Sequence, residues 1–312
     1  MTLDGVILVD KPEGMTSFAV DIAMRKVAET KKVGHLGTLD PFATGMLPVF
    51  CGKGLKYMRF CEGWDKSYNC RALFGKTTDT MDITGETVEE NYPAEEVMAE
   101  LESTDYKAVR DAFETVRQTE EQIPPKYSAK KINGRRACDL VREGVEVELK
   151  STKVKIYSID INTIERQDKG FVVDFDVRCS KGTYIRTICD DAGRLTGFGA
   201  CALTLRRTSC GPYSIETART PDELFALKEE GDISFLLDAE AALSDMPVLE
   251  MTAKEAQDLR FGRKIRYNGA AEEGTDRKYY RACHEGKLIA VVYPSLDNGK
   301  AILRIERLFD HD

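Results

Sequence analysis

The chain has 312 residues, 42% of them hydrophobic, enough for a substantial core and for about two domains at roughly 150 residues each. It opens MTLDGVILVDKPEG, with neither the basic start nor the apolar stretch of a signal peptide, and no run approaches the roughly 18 apolar residues that span a bilayer. A net charge of -8 argues against non-specific coating of nucleic acid but leaves room for a local basic stripe.

GVILVDKPEG reads as a short buried strand over Val6 to Val9, closed by a Lys-Pro-x-Gly turn. A helix follows, capped by Thr16 or Ser17, with Val20, Met24 and Val27 at helical spacing. The next stretch, KVGHLGTLDPFATGMLPVFCGKG, is so rich in Gly and Pro that it is expected to be a long functional loop without a regular element. SYNCRALFG is strand-like. Ala94 to Gln118 is an acidic helical region interrupted near Asp105, with Val97, Leu101, Val109, Phe113 and Val116 in apolar stripes.

The segment PPKYSAKKINGRRACDLVR, Pro124 to Arg142, carries six Lys and Arg against one acid, Asp139. Taken alone it is an ordinary solvated loop and helix face. Phe171 to Val177 is the cleanest strand, with Asp174 and Asp176 on the face opposite its apolar residues; the turn SKGT then leads into the helix-like YIRTICDDAGRL. Beyond Met246-Pro247 a helix signal at Ala253 to Leu259 precedes KLIAVVYP and AILRIERLF, joined by an Asp-Asn-Gly turn. This divides the chain into 1–246 and a small β-rich module, 247–312.

Nine scattered cysteines without a CxxC and three histidines without an HxxxH point to reduced structural thiols and no metal site, and the absence of an export signal points to the cytosol. Gly75-Lys76-Thr77 is no phosphate loop, because the Gly required five residues earlier is Cys70. Ser128 has no histidine near it in sequence to activate it. Asp40, between Leu39 and Pro41 in a stretch stiffened by Pro41 and Pro48, is a carboxylate candidate that needs a cation or donors to stay ionised.

Four ordered blocks then narrow the reading: DKPEGMTS from Asp10, GHLGTLDPFATGMLPV from Gly34, IPPKYSAKKINGRRA from Ile123 and CSKGTYIRTICDDAG from Cys179. In these blocks the sequence strongly resembles the bacterial tRNA pseudouridine synthase B (TruB) family, across most of the first 210 residues. The resemblance implies an α+β catalytic domain on a mixed β-sheet with an RNA-binding cleft. The C-terminal module resembles, more loosely, a PUA-type RNA-binding β-barrel.

The implied reaction is the conversion of uridine to pseudouridine at position 55 in the TΨC stem-loop of tRNA. It uses no cofactor or metal, and the protein is expected to act as a monomer without an obligate protein partner. Asp40 would be the catalytic carboxylate, Arg186 its partner, and Tyr68 would lie against the base. Tyr184 and Leu205 would line the pocket and His35 would meet the RNA beside the flipped nucleotide. Tyr127, Lys130 and Arg135 would grip phosphates and loop bases. Cys138 and Thr152 stand where the family commonly has an aromatic and an arginine. The alternatives are a guide-dependent enzyme, an RNA-folding protein without chemistry, and a glycosidic hydrolase; the last needs a second carboxylate, which no motif supplies.

Overall fold

The computed structural model describes residues 2–128, 130–132, 134–271 and 277–309, with backbone alone for residues 131, 132, 136 and 138. The first strand, β1 (Gly5–Lys11), is buried on both faces. By simple alternation Ile7 and Val9 pack with Val20, Met24 and Val27 of helix α1 (Ser17–Val27), while Val6 and Leu8 face Met46 and Phe50. Thr16 caps α1 by accepting the Ala19 amide at 3.0 Å.

The stretch expected to lack regular structure contains two strands, β2 (Val33–His35) and β3 (Thr44–Cys51). The apolar run Met46, Leu47, Val49 and Phe50 overrides the Gly and Pro signals because it is completely buried. Pro48 is tolerated inside β3 at the end of β2. Its carbonyl accepts Leu36 N at 2.9 Å, so its missing N–H falls on that side, past His35, the last strand residue of β2, and costs the β1–β3 ladder nothing.

A short helix α2 (Leu55–Met58) leads to β4 (Lys66–Phe74), and a small hairpin of β5 (Lys76–Thr78) and β6 (Thr87–Glu90) follows. The acidic region forms α3 (Glu95–Ser103) and α4 (Lys107–Arg117), broken where Asp105 and Tyr106 take positive φ. Their apolar faces pack on Phe74, Phe171 and Phe175.

The basic segment is bounded by β7 (Glu121–Gln122), which pairs with β10 (Thr152–Lys153). Between them lie a minimal hairpin, β8 (Lys131–Ile132) and β9 (Arg135–Arg136), and helix α5 (Ala137–Arg142). Then come β11 (Ile156–Arg166), β12 (Phe171–Cys179), α6 (Ile185–Thr196), β13 (Ala200–Cys210), β14 (Tyr213–Ser214), α7 (Pro221–Glu229) and β15 (Leu236–Leu237).

The large sheet runs β11-β12-β4-β13-β3-β1-β15, with β14 added to β13 and β2 to β3. Its only parallel pairing among these is β13 to β3, where Arg207 lies opposite Gly45. A side chain at Gly45 would meet the Arg207 carbonyl oxygen at 2.3 Å, and its φ is +103°; glycine is what lets the two halves of the sheet join.

A second, five-stranded sheet is built from β16 (Val248–Glu250), β17 (Ile265–Arg266), β18 (Tyr280–His284), β19 (Lys287–Asp297) and β20 (Lys300–Leu308), with α8 (Ala253–Arg260) packed on it. It docks firmly. Leu288, Val291 and Phe309 share one apolar cluster with Val6, Leu8 and Phe50, and the Tyr57 and Phe309 rings are 4.4 Å apart. No helix among the described residues is long and apolar enough to cross a membrane.

Candidate active site

Asp40 lies in the loop between β2 and β3, and that loop is clamped on both sides of it. Ser17 Oγ accepts the Leu39 amide at 2.8 Å and donates to the Leu39 carbonyl at 2.9 Å. On the other side, the Pro41 carbonyl accepts from Gly14 N at 2.8 Å and from Lys11 Nζ at 3.2 Å. Lys11 is fully buried and also donates to the carbonyls of Pro12 and Met15. The DKPEGMTS block is therefore the brace of the Asp40 loop. In the sequence Ser17 stands out only as an alternative cap for α1 and Lys11 only in a Lys-Pro-x-Gly turn; their part as a brace comes from the folded chain.

Arg186, on the first turn of α6, gives Asp40 its cation: Nε lies 2.9 Å from Asp40 Oδ2. The guanidinium is buried and otherwise occupied, with Nη1 donating to the Thr80 carbonyl at 2.7 Å and Nη2 to the Tyr127 carbonyl at 2.9 Å. Asp82 Oδ2 stands 3.5 Å from Nη1. A second carboxylate therefore stands beside the Asp40–Arg186 pair, though no motif supplies it. Asp82 carries no sequence signature and arrives through an isolated bridge to Ala202. Its Oδ1 accepts from Thr84 N and Oγ1, and its Oδ2 faces Arg186, so both oxygens of the buried Asp82 are engaged by protein groups.

Burial pushes the Asp40 carboxyl above the ordinary aspartate value of 3.8; Arg186 pulls it down, and the Asp82 charge adds to the rise. Arg186 thus limits the shift without reversing it.

A cavity of about 530 Å³ opens over Asp40, walled by Tyr68, Tyr184 and Leu205 and floored by Lys66 and Arg207. Tyr68 sits in β4 between Val177 of β12 and Arg207 of β13. Burial raises its phenol well above the usual tyrosine value, opposed by the adjacent Arg207 guanidinium. Tyr184 precedes α6 and is held by Gln122, whose Oε1 accepts its amide at 2.9 Å. Leu205 reaches the wall from β13, opposite Cys70. Arg207, completely buried, donates to the carbonyls of Met46 (2.6 Å) and Gly37 (2.8 Å), locking β13 to the Asp40 loop. In the sequence Leu205 is marked by the paired arginines after it, with no part for Arg207 itself, and Gln122 and Asp82 carry no motif signal.

A second cavity, about 770 Å³, lies on the other side of Asp40 and includes His35, Tyr127 and Arg142. His35 is fixed through both ring nitrogens, Nδ1 at 2.9 Å from Asp21 and Nε2 at 3.1 Å from Thr38 Oγ1. Lys130 borders the first cavity. Arg135 is exposed away from both and pairs with Glu143. Thr152 Oγ1 donates to the Gln122 carbonyl at 3.4 Å at the root of the basic segment, and the Cys138 side chain lies outside the described residues.

The chain that sets an aspartate at the base of a cleft, beside a buried arginine, two tyrosines and a leucine, matches known sequences over most of its length. Residues 25–185 match the TruB family pseudouridylate synthase N-terminal domain. The tRNA pseudouridine synthase B of Paenarthrobacter aurescens (strain TC1) is 38% identical over 307 residues, 96% of this chain and 94% of that protein. That of Aliivibrio salmonicida (strain LFI1238) is 38% identical over 285 residues, 88% and 86%. The chain belongs to the TruB family of pseudouridylate synthases, and is an isomerase.

In structure it is similar to a chain of a Cbf5–Nop10–Gar1 complex, with a TM-score of 0.70 and 23% identity over 98% of this chain and 85% of that one. A chain of the archaeal box H/ACA Nop10–Cbf5 complex gives 0.65, 21%, 98% and 86%. The fold is the expected α+β one, a mixed catalytic sheet with a PUA-like C-terminal β-module.

Proposed function

We propose that this protein converts uridine to pseudouridine at position 55 of the tRNA TΨC arm, as a cytoplasmic monomer needing no cofactor or guide, with Asp40 as its essential carboxylate. The observation that carries this reading is the 2.9 Å Arg186–Asp40 pair at the foot of a cavity walled by Tyr68, Tyr184 and Leu205. Relatives named tRNA pseudouridine synthase B, matching nearly the whole chain, support tRNA as substrate. In this reading residues 1–246 carry the chemistry and 247–312 add an RNA-binding surface.

A uridine stacked in a folded loop must leave the stack to reach Asp40, and the cavity holds it between aromatic and aliphatic walls. The reaction breaks the N1–C1′ bond, turns the uracil, joins C5 to C1′ and removes the C5 proton. Nothing is oxidised and no water is added. Arg186 holds Oδ2, which leaves Oδ1 for the sugar or the base, and the fixed orientation serves attack at C1′, addition at C6 or removal of a sugar proton alike. In this reading His35, steadied by Asp21 and Thr38, meets the RNA beside the flipped nucleotide. Tyr127, Lys130 and Arg135 extend the contact along the RNA.

Tritium release from tRNA carrying 5-tritiated uridine, with no added metal, cofactor or guide RNA, tests this. Release by the parent protein and none by Asp40→Asn is expected. Release only with a guide RNA, or free uracil as product, would replace the reading by the guide-dependent or hydrolytic one.

A further inference from the structure

The outer face of α1 is unusually apolar for a surface beside a charged cleft. Phe18 is 59% exposed and Ile22, one turn on, 45%. Phe18 borders the same cavity as Asp40, His35 and Tyr127. Arg25, a further turn along the same face, places its guanidinium 5.8 Å from the Phe18 ring centroid. Arg25 is half-buried. An exposed aromatic ring beside a guanidinium is the pair of groups that a single-stranded nucleotide requires, one for the base and one for its phosphate.

We propose that Phe18 and Arg25 form a nucleotide-binding step on α1. An unpaired base adjoining the extruded uridine stacks on the open face of Phe18 while Arg25 meets the neighbouring phosphate. The occupant is substrate RNA because the step continues the catalytic cavity: a strand that delivers one nucleotide to Asp40 must lay its neighbours along the cavity rim, and Phe18 is that rim. The base is held by its π-face, so the step positions the strand without reading its sequence. This rests on the proposed tRNA reaction.

The test uses a T-arm stem-loop with 2-aminopurine placed in turn on each side of the target uridine, together with steady-state tritium release. With the parent protein, one of the two positions is expected to be quenched on binding. Phe18→Ala should abolish that quench and raise KM about tenfold with kcat within twofold. Phe18→Tyr should restore both, and Phe18→Leu should not. Arg25→Gln should lower the slope of log affinity against log salt by about one.

Unchanged KM and quench in Phe18→Ala, or full rescue by Phe18→Leu, would overturn the proposal. Because Phe18 is exposed, circular dichroism of the variants should match the parent. The parent's own tritium release shows separately whether the underlying reaction stands.

Discussion

Arg186 ties Asp40 to three other groups at once: its Nε holds Asp40 Oδ2 at 2.9 Å while its two Nη atoms reach Thr80, Tyr127 and Asp82. The proposed catalytic carboxylate is thereby joined to the β5–β6 turn and to the root of the basic segment through one buried cation. Removing that cation leaves two carboxylates and two carbonyls without it. Arg186→Met is expected to lose about 3–5 kcal/mol of stability in denaturant titration. Asp40→Asn, which keeps the Asp82 pairing, should abolish turnover with a far smaller change in midpoint.

The direction of the Asp40 shift sets a pH dependence. The proposed chemistry needs the ionised form, and burial together with Asp82 raises the carboxyl above 3.8. Activity is therefore lost as pH falls through that raised value, so the acid limb of kcat/KM lies above the ordinary aspartate range. Asp82→Asn removes a negative neighbour and should move the limb to lower pH. An unmoved limb would mean that Asp82 does not act on Asp40 electrostatically.

Tyr68 divides stacking from proton transfer. Burial keeps its phenol protonated at neutral pH, so it can take the C5 proton only while passing its own proton to another acceptor. Tyr68→Phe is expected to leave RNA affinity unchanged and to lower kcat by about 10²–10⁴-fold if that oxygen takes the C5 proton. An unchanged kcat removes the hydroxyl from the chemistry and leaves the ring as a wall.

Two backbone positions test how the site is held. Ser17→Ala breaks both bonds to Leu39 and leaves its buried backbone groups unpartnered, which costs about 1–3 kcal/mol and reduces kcat more than RNA affinity. Gly45→Ala pushes a methyl group against the Arg207 carbonyl in the one parallel join of the large sheet and forces an unfavourable φ. Its thermal midpoint should drop further than that of Ser17→Ala; a Gly45→Ala protein as stable as the parent would show that the join is looser than the 2.3 Å approach requires.

The sequence by itself determined the elements with unbroken periodicity, β1, α1, β4, the broken α3–α4 pair, β12, α6 and the closing β19–β20 hairpin, because local patterning is what defines them. It also pointed to Asp40, Tyr68, Arg186, Tyr184 and Leu205, since each stands inside a motif. The Asp40 stretch misled it: glycine and proline are read locally as loop, while the burial that makes Thr44–Cys51 a strand comes from β1 and β2 on either side. Only the tertiary structure brought Asp82 to Arg186, Ser17 and Lys11 to the Asp40 loop, Gln122 to Tyr184 and Arg207 beneath the cavity. These partners are 22 to 170 residues apart in sequence, as in Ser17–Leu39 and Arg207–Gly37, and nothing in local pattern records a hydrogen bond that exists only after the sheet has closed.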